Sequence, residues 1–530
     1  MKILLACSGA LVVAVSALAA ARFETTEIVL PTYGYDDPDP VPAPAKRFWP
    51  YYRYDGFTDR ATNRTWKAVV LENDAIKVTI LPEIGGKIWG AVDRRTGDDF
   101  IYYNHVVKFR DISMCGPWTS GGIEFNFGIV GHGPYTSLPV DWTVRANDDG
   151  SVSYFCGHTE MVTRGIWQVE VRLPPTGTEF ETRTYWQNGS LLRQPYYQWM
   201  NAGYGVKRQN PEFVFPATNY IGHPGDSHPW PVDEFGHDIS VYSNNTFGVS
   251  WLSDNDVDHK AYHVLGGDGR FYGVWWPKSA YGAYHLNDVD QKYGRKVWIW
   301  GLSRLGGIWE DLLTDTDGQY VELQSGRVFQ QPQETCWRTP FRHPVFAPGV
   351  TDRFVERWGM TRDRAFFDPY VKTTPKAERP QSFPSDFDWQ GVYGLYLAAR
   401  QAVFSGEKAD DPVAILRKLL TKDPCYVPAL DLLAQELMKR GETQAAVALL
   451  DKALAVDTYD AEANYLEGVI ALETGERMRA RERLGLASYS PELRTQARAL
   501  LARSYLQDGD FSISRWRPIS TSPVAIRTRG

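Results

Sequence analysis

LENDAIKVTILPEIGGKIWGAVDRRTGDDFIYYN, residues 71–104, settles the architecture of most of the chain. The run AIKVTIL alternates apolar and polar side chains, the period-two signature of a strand with a buried face. Pro82-Glu83-Ile84-Gly85-Gly86 then breaks it, because proline removes an amide donor and paired glycines accept turn angles closed to other residues. A second strand follows, DRRTG reverses the chain, and FIYYN opens a third. Strand, turn, strand, hairpin and strand together spell antiparallel β structure.

The same grammar extends from Trp66 to Trp358. Short runs such as WTVRA, SVSYF, QVEVRL and KVWIWGL are punctuated by Gly, Asn, Asp and Pro. Helical spacing is confined to about one turn over Gly307–Leu313. So long a block of β pattern predicts a large sandwich over residues 66–360.

After Pro380 the composition changes. Residues 390–511 are rich in Ala and Leu at spacings of three and four. Gly441, Gly475 and Gly509 lie 34 apart, as do Leu432, Leu466 and Leu500, and Ala429, Ala463 and Ala497; Ala446 and Ala480 keep the step. This is the period of tetratricopeptide helix pairs, in which small residues stand where helices cross closely. A degenerate earlier pair is expected over 393–423. Such an array packs on the β domain or binds a peptide or protein partner. The β domain is preceded by a Pro-rich arm and first strands over 22–65. Residues 361–389 read as a linker, and 512–530 as a basic, aperiodic, disordered tail.

Residues 1–21 read as an export signal: Lys2, an apolar run, and the small-residue sites Ala17-Leu18-Ala19 and Ala19-Ala20-Ala21. A membrane anchor fits less well, because the run is short and ends in alanines. Leu4-Leu5-Ala6-Cys7 resembles a lipobox but has almost no apolar core before it. No later segment is long enough to span a bilayer, so a periplasmic or extracellular protein is expected. The net charge of −7, without long single-sign runs, argues against nucleic acid as a partner. Cys115, Cys156, Cys336 and Cys425 show no zinc spacing. Aromatic residues make up 14% of the chain, including 19 Trp and 29 Tyr, and such rings suit stacking on the apolar faces of sugars as well as a β core.

Two acidic positions stand out as candidate chemistry. In SGGIEFNFGIVGH (120–132), Glu124 lies in a glycine-bounded, aromatic frame, with Asn126 two residues on and His132 eight residues on. A turn between Gly128 and Gly133 would fold His132 back onto Glu124. The bland alternative is that Lys108 or Arg110 pairs with Glu124 and braces the loop. Glu322 shares a strand face with Gln324, a carboxylate and an amide suited to paired hydroxyls. The expected catalytic residues are Glu124, Glu322 and His132. Gln324, Glu310, His285, Asp288, Trp89, Trp118, Asn126, His223 and Trp276 are candidate substrate contacts. Asp226 and His228 share a rim loop with His223, and Trp275 is a further stacking candidate. No cofactor is expected. HLNDVDQKYG (285–294) could offer oxygen ligands to calcium, though it lacks the glycine and distal glutamate of an EF-hand loop, and a plain turn serves equally.

The opening stretch, KVWIWG (296–301), QYVELQSGR (319–327) and APGVTDRFVERW (347–358) together resemble the galactose-mutarotase-like β-supersandwich. That resemblance implies a catalytic base at Glu322 in Glu322-Leu323-Gln324. The family's acid comes from an Asn-His pair, and the corresponding strand here has Met200-Asn201 instead. Simple mutarotation is therefore not carried over. RFWPYYRYDGF, LPEIGGKIWG, FIYYNHVVKFRDISMCGPWTSGGIEFNFGIVGH and VWIWGLSRLGGIWEDLLTDTDGQYVELQSGR, followed by helical repeats, are similar to the exported bacterial family catalogued as domain of unknown function 5107. Its members commonly resemble carbohydrate-degradation proteins and usually continue beyond the first repeats, so the resemblance leaves open a shortened version or a natural end here. The expected function is a secreted glycoside hydrolase using Glu124 and Glu322. A non-catalytic sugar-binding module with a partner-docking repeat domain, and an epimerase or mutarotase, are the alternatives.

Overall fold

The computed structural model describes residues 20–38, 54, 56–111, 116–128, 131–206, 210–222, 227–233, 235–245, 259–267, 269–288, 291–300, 302, 304–329, 331, 345–371, 386–405 and 411–509. Among these, two large sheets face each other. The larger has 13 strands; its central run is His259–Leu265, Gly294–Trp300, Tyr320–Gly326, Tyr197–Gly205, Ile123–Gly128 and Lys87–Asp93. The second has eight, with Tyr281–Asn287, Thr351–Thr361 and Glu179–Asn188 at its centre. All strand pairs that build the two sheets are antiparallel, apart from the short Val107–Lys108 strand beside Arg22–Tyr33. The fold class read from the sequence is the one observed.

Period two decides which side chains enter the inter-sheet core. Ile123, Phe125, Phe127, Met200, Ala202, Val297, Ile299, Val321 and Leu323 all join it. Their alternates, Glu124, Asn126, Asn201, Lys296, Glu322 and Gln324, therefore lie on the other face of the larger sheet, and they too are buried. Gly122 makes the close approach of two strands possible: its φ is +65°, and a Cβ there would stand 2.1 Å from the Ile88 carbonyl oxygen.

Part of the expected arm is sheet. Arg22–Tyr33 form a 12-residue strand paired with Thr62–Glu72 along its length. The start of the expected linker also folds back, since Phe367 is fully buried against Phe271 and Trp275. The helical turn near Gly307 is a ten-residue helix, Arg304–Leu313.

Seven helices between Val392 and Gln507 form the repeats among the described residues. The 34-residue period has a plain cause. Gly441, Gly475 and Gly509 each take a left-handed φ of 71–84° just past the helices Val427–Lys439, Ala461–Glu473 and Arg494–Gln507. Ala429, Ala463, Ala497, Ala446 and Ala480 have no exposed surface, as the helix-crossing reading requires.

The segment Leu191–Arg193 holds the repeats to the β domain, beside Val345, which also packs on the helical core. Leu191 and Leu192 pack against the helical core, and the Tyr465 hydroxyl donates to the Leu191 carbonyl at 2.9 Å. Arg193 reaches Glu462 at 2.7 Å and holds both oxygens of Glu492, while its amide donates to Gln435 at 3.1 Å. Beneath it, burial and the neighbouring Asp460 and Glu462 push the Asp431 carboxyl up to about 9. Arg193→Ala is expected to weaken this contact by about 2 kcal/mol, the low end for a truncated charge pair because the guanidinium remains one-fifth exposed. Calorimetry should then show the helical and β parts melting as two transitions; a single unchanged transition would refute the assignment.

Candidate functional site

Strand register assembles the site. In antiparallel strands, directly paired residues point to the same side. Glu124 pairs with Asn201, Asn201 with Gln324, Gln324 with Lys296, and Lys296 with His263. Five strands thus present Glu124, Asn201, Gln324, Lys296 and His263 in one row. Beyond Glu124, Ile88 pairs with Ile123, which brings Lys87 beside the row. Glu322 lies one step along from Gln324 and pairs with Trp298, a half-exposed ring. The backbones of Glu124 and Glu322 are therefore roughly 12 Å apart, two strands across and two residues along.

His132 folds back as its spacing suggests. It takes φ +58°, and its amide donates to Asn126 Oδ1 at 2.7 Å. Nδ1 lies 3.0 Å from both Glu124 oxygens, and Trp118 Nε1 donates to Glu124 Oε2 at 3.1 Å. The Trp118 ring stands edge-on to the imidazole, with centroids 4.9 Å apart. Burial alone would raise the Glu124 carboxyl, but the charge and hydrogen bond of His132 hold it below the ordinary value. Burial opposes the imidazolium, yet Glu124, with help from Glu322, holds His132 above its ordinary value. Arg110 and Lys108 are not the partners: Lys108 pairs with Asp315, and Arg110 donates to the Thr58 and Phe109 carbonyls.

Glu322 has a different environment. Tyr320 donates to Oε1 at 3.1 Å and Gln324 to Oε2 at 2.6 Å. Burial pushes its carboxyl up, Glu124 adds to the rise, and His132 and Lys296 oppose it. Gln324 passes the network on to Gln331, which donates to the Tyr197 hydroxyl. Lys87 donates to the Thr119 and Ser120 carbonyls at 2.7 and 3.2 Å. Burial lowers it to about 8, against the pull of both glutamates.

The structure thus brings together Glu124, His132, Trp118, Asn126, Glu322 and Gln324. Others lie elsewhere. His285 is enclosed between the sheets, bonded to Glu356 at 2.9 Å and stacked on Tyr272, so it is a core residue and not a substrate contact. Trp276 is also inter-sheet core, stacked on Tyr281 and donating to the Gly205 carbonyl. Trp89 is buried in a separate cluster with Trp66 and Phe109 and donates to the Asn104 carbonyl. Asp288 is exposed and caps a turn, taking the Gln291 amide at 3.0 Å. Glu310 sits half-buried on the Arg304–Leu313 helix, one residue after Trp309, which packs on Trp300. His223, Asp226 and Asp290 lie outside the described residues. Among the described residues, no three His, Cys, Asp or Glu side chains gather as a metal cluster, and no helix is long and apolar enough to cross a membrane.

Sequence reasoning missed Lys87, Asn201, Lys296 and Trp298. A signal existed for two of them: in KVWIWG, Lys296, Trp298 and Trp300 share one face at period two, opposite Val297 and Ile299. Asn201 and Lys87 enter only through strand order.

These features define a class: a two-sheet β-supersandwich with an acid, imidazole and amide cluster on the outer face of its larger sheet, joined to tetratricopeptide-like repeats. The chain belongs to the family described as Domain of unknown function (DUF5107), which matches residues 43–361. A solved tetratricopeptide-domain protein from Parabacteroides distasonis is similar over 93% of this chain and 84% of its own, at 19% identity and a TM-score of 0.57. A galactose mutarotase-like protein from Clostridium acetobutylicum aligns with 56% of this chain and 95% of its own, at 10% identity and a TM-score of 0.40. A galactose mutarotase related enzyme from Lactobacillus acidophilus aligns with 56% and 97%, at 12% identity and 0.38.

Proposed function

We propose that the larger sheet carries a carbohydrate site performing acid–base chemistry at the anomeric end of a sugar. Glu322 is the base, His132 the acid, and Glu124 the positioning residue that keeps His132 protonated. The observation that carries this reading is the unequal engagement of the two glutamates. Glu124 commits both oxygens to His132 and one to Trp118 as well, whereas Glu322 is held by two neutral donors. Opening a sugar ring needs one group to take the anomeric hydroxyl proton and another to protonate the ring oxygen. Glu322, whose carboxyl burial pushes up so that the ionised form holds a proton more strongly, suits the first task. His132, held protonated, suits the second, with Nδ1 anchored on Glu124 and the proton delivered from Nε2. Trp298 beside Glu322 offers a ring for the apolar face of the sugar.

The hydrolase reading shares the same face and asks more of Glu124, since two carboxyls must flank one bond. One experiment separates the readings. Galactose, glucose and their uronates are followed for anomer exchange by NMR, and a glycan panel is followed for released reducing ends. Exchange without release supports the acid–base isomerase; release that depends on both Glu124 and Glu322 replaces it with a hydrolase. Neither activity, with sugar binding retained, makes the domain a binding module.

A bell-shaped pH profile is expected for kcat/KM. The acid limb follows protonation of Glu322 and lies above the ordinary carboxylate value. The alkaline limb follows loss of the His132 proton and lies above the ordinary imidazole value. Glu124→Gln removes the charge that holds that proton, so it moves the alkaline limb to lower pH. An alkaline limb that stays in place would remove Glu124 from its positioning role. The apolar N-terminal run supports export to the periplasm or exterior, and the repeats support docking to a protein partner.

A further inference from the structure

We propose that Asn126, Trp199 and Asn201 form a specificity subsite that reads a ring hydroxyl of a neutral sugar; the proposal rests on the acid–base sugar site above. Asn126 pairs directly with Trp199 across neighbouring strands, and Glu124 pairs with Asn201 two residues along. Their alternates Ile123, Phe125, Phe127, Met200 and Ala202 fill the inter-sheet core. Asn126, Trp199 and Asn201 therefore share the outer face with Glu124, Glu322 and Gln324, and Asn201 stands directly between Glu124 and Gln324. The subsite is continuous with the reacting groups.

Each of these side chains carries a buried polar atom with no partner among the described residues. Asn126 Nδ2 and Trp199 Nε1 are donors without an acceptor, and Asn201 Oδ1 is an acceptor without a donor. Asn126 and Trp199 have no exposed surface, and Asn201 is 4% exposed. An unpaired buried polar atom costs about 1–3 kcal/mol, so a group of them on paired strands marks a place for a ligand's polar group. Asn126 is fixed in orientation, because its Oδ1 accepts from the His132 amide at 2.7 Å and Nδ2 is the end left over. The Trp199 ring takes the space of a side chain at Gly326, where a Cβ would stand 2.4 Å from its Cδ2. Donors beside an acceptor match a hydroxyl, which gives one hydrogen bond and takes two. A carboxylate has no proton for Asn201 Oδ1 and would stand beside the Glu124 carboxylate. An ammonium cannot accept from Asn126 or Trp199.

Calorimetric titration of the full chain with galactose and glucose, their 2-, 3- and 4-deoxy analogues, and their uronates tests this. Loss of the hydroxyl at one ring position should weaken binding about ten- to hundredfold, because the subsite atoms then lose their partner. In Asn201→Leu that penalty should shrink at the same position alone. The deoxy series uses the wild-type chain, so it stands even where the variant fails to fold. Deoxy sugars that all bind within about threefold of the parent would leave these atoms to water, overturning the subsite while the sugar site stands. An equal penalty in wild type and Asn201→Leu would likewise take Asn201 out of the subsite and overturn it. A uronate bound more tightly than its parent overturns the neutral class. No response to any sugar overturns both the subsite and the sugar site.

Discussion

Glu322→Gln is expected to lower kcat/KM for sugar turnover by about 10²–10⁴-fold, the range for removing a positioned acid or base. Glutamine has the same shape and keeps one acceptor and one donor, so the Tyr320 and Gln324 contacts persist in rearranged form. Folding should therefore be intact by circular dichroism, and sugar affinity should change little. The loss should sit in kcat, because the proton is taken only as the reaction proceeds. His132→Gln should give a loss in the same range and erase the alkaline limb. Glu322→Gln with activity within tenfold of wild type would remove Glu322 from the chemistry.

The largest stability effect should come from the core between the two sheets. Glu356 is fully buried between the sheets, where it meets His285 at 2.9 Å and Lys292 at 3.4 Å and also accepts from Ser325. Lys292 donates to Gln198 at 2.6 Å and is lowered to about 8 by burial, which Glu356 counteracts. His285 is lowered to about 4, chiefly by burial, and is neutral at pH 7. Glu356→Gln leaves the Lys292 ammonium without its buried counter-charge, at a cost of about 3–5 kcal/mol. The urea midpoint should fall accordingly. A second change, Lys292→Met, should recover much of the loss, because removing both charges removes the uncompensated one. A double variant no better than the single one would mean that the network acts through its hydrogen bonds to Ser325 and Gln198.

His285 also sets a pH window. Its folded value lies below the ordinary one, so the unfolded chain binds more protons between about 4 and the ordinary imidazole range. Its contribution to stability is complete above that range and is lost as the pH falls through the window.

Much of this was legible in the residues alone. Period-two runs gave the sandwich, and glycines 34 apart gave the repeats because each ends a helix in the left-handed region. Glu124, Asn126 and His132 were found together because a turn joins them locally. The rest depended on strand order. Tyr320–Gly326 lies between Tyr197–Gly205 and Gly294–Trp300, so Asn201 and Lys296 flank Gln324 without any spacing that announces it. Abundant tryptophan pointed to sugar stacking, yet Trp89 and Trp276 fill cores; only burial separates the two roles. His285 looked like a loop ligand because aspartates follow it, but it stands on the Tyr281–Asn287 strand of the second sheet, facing the larger one.

The segment Leu191–Arg193 already occupies a surface of the repeats, with both leucines on the helical core and Arg193 on Glu462 and Glu492. An incoming peptide would meet a resident joined to the same chain, present at an effective concentration on the order of millimolar. A visitor that binds weakly stays outside, however abundant its matching leucines and arginine. A peptide competing for that surface would have to displace Arg193 from Glu462 and Glu492.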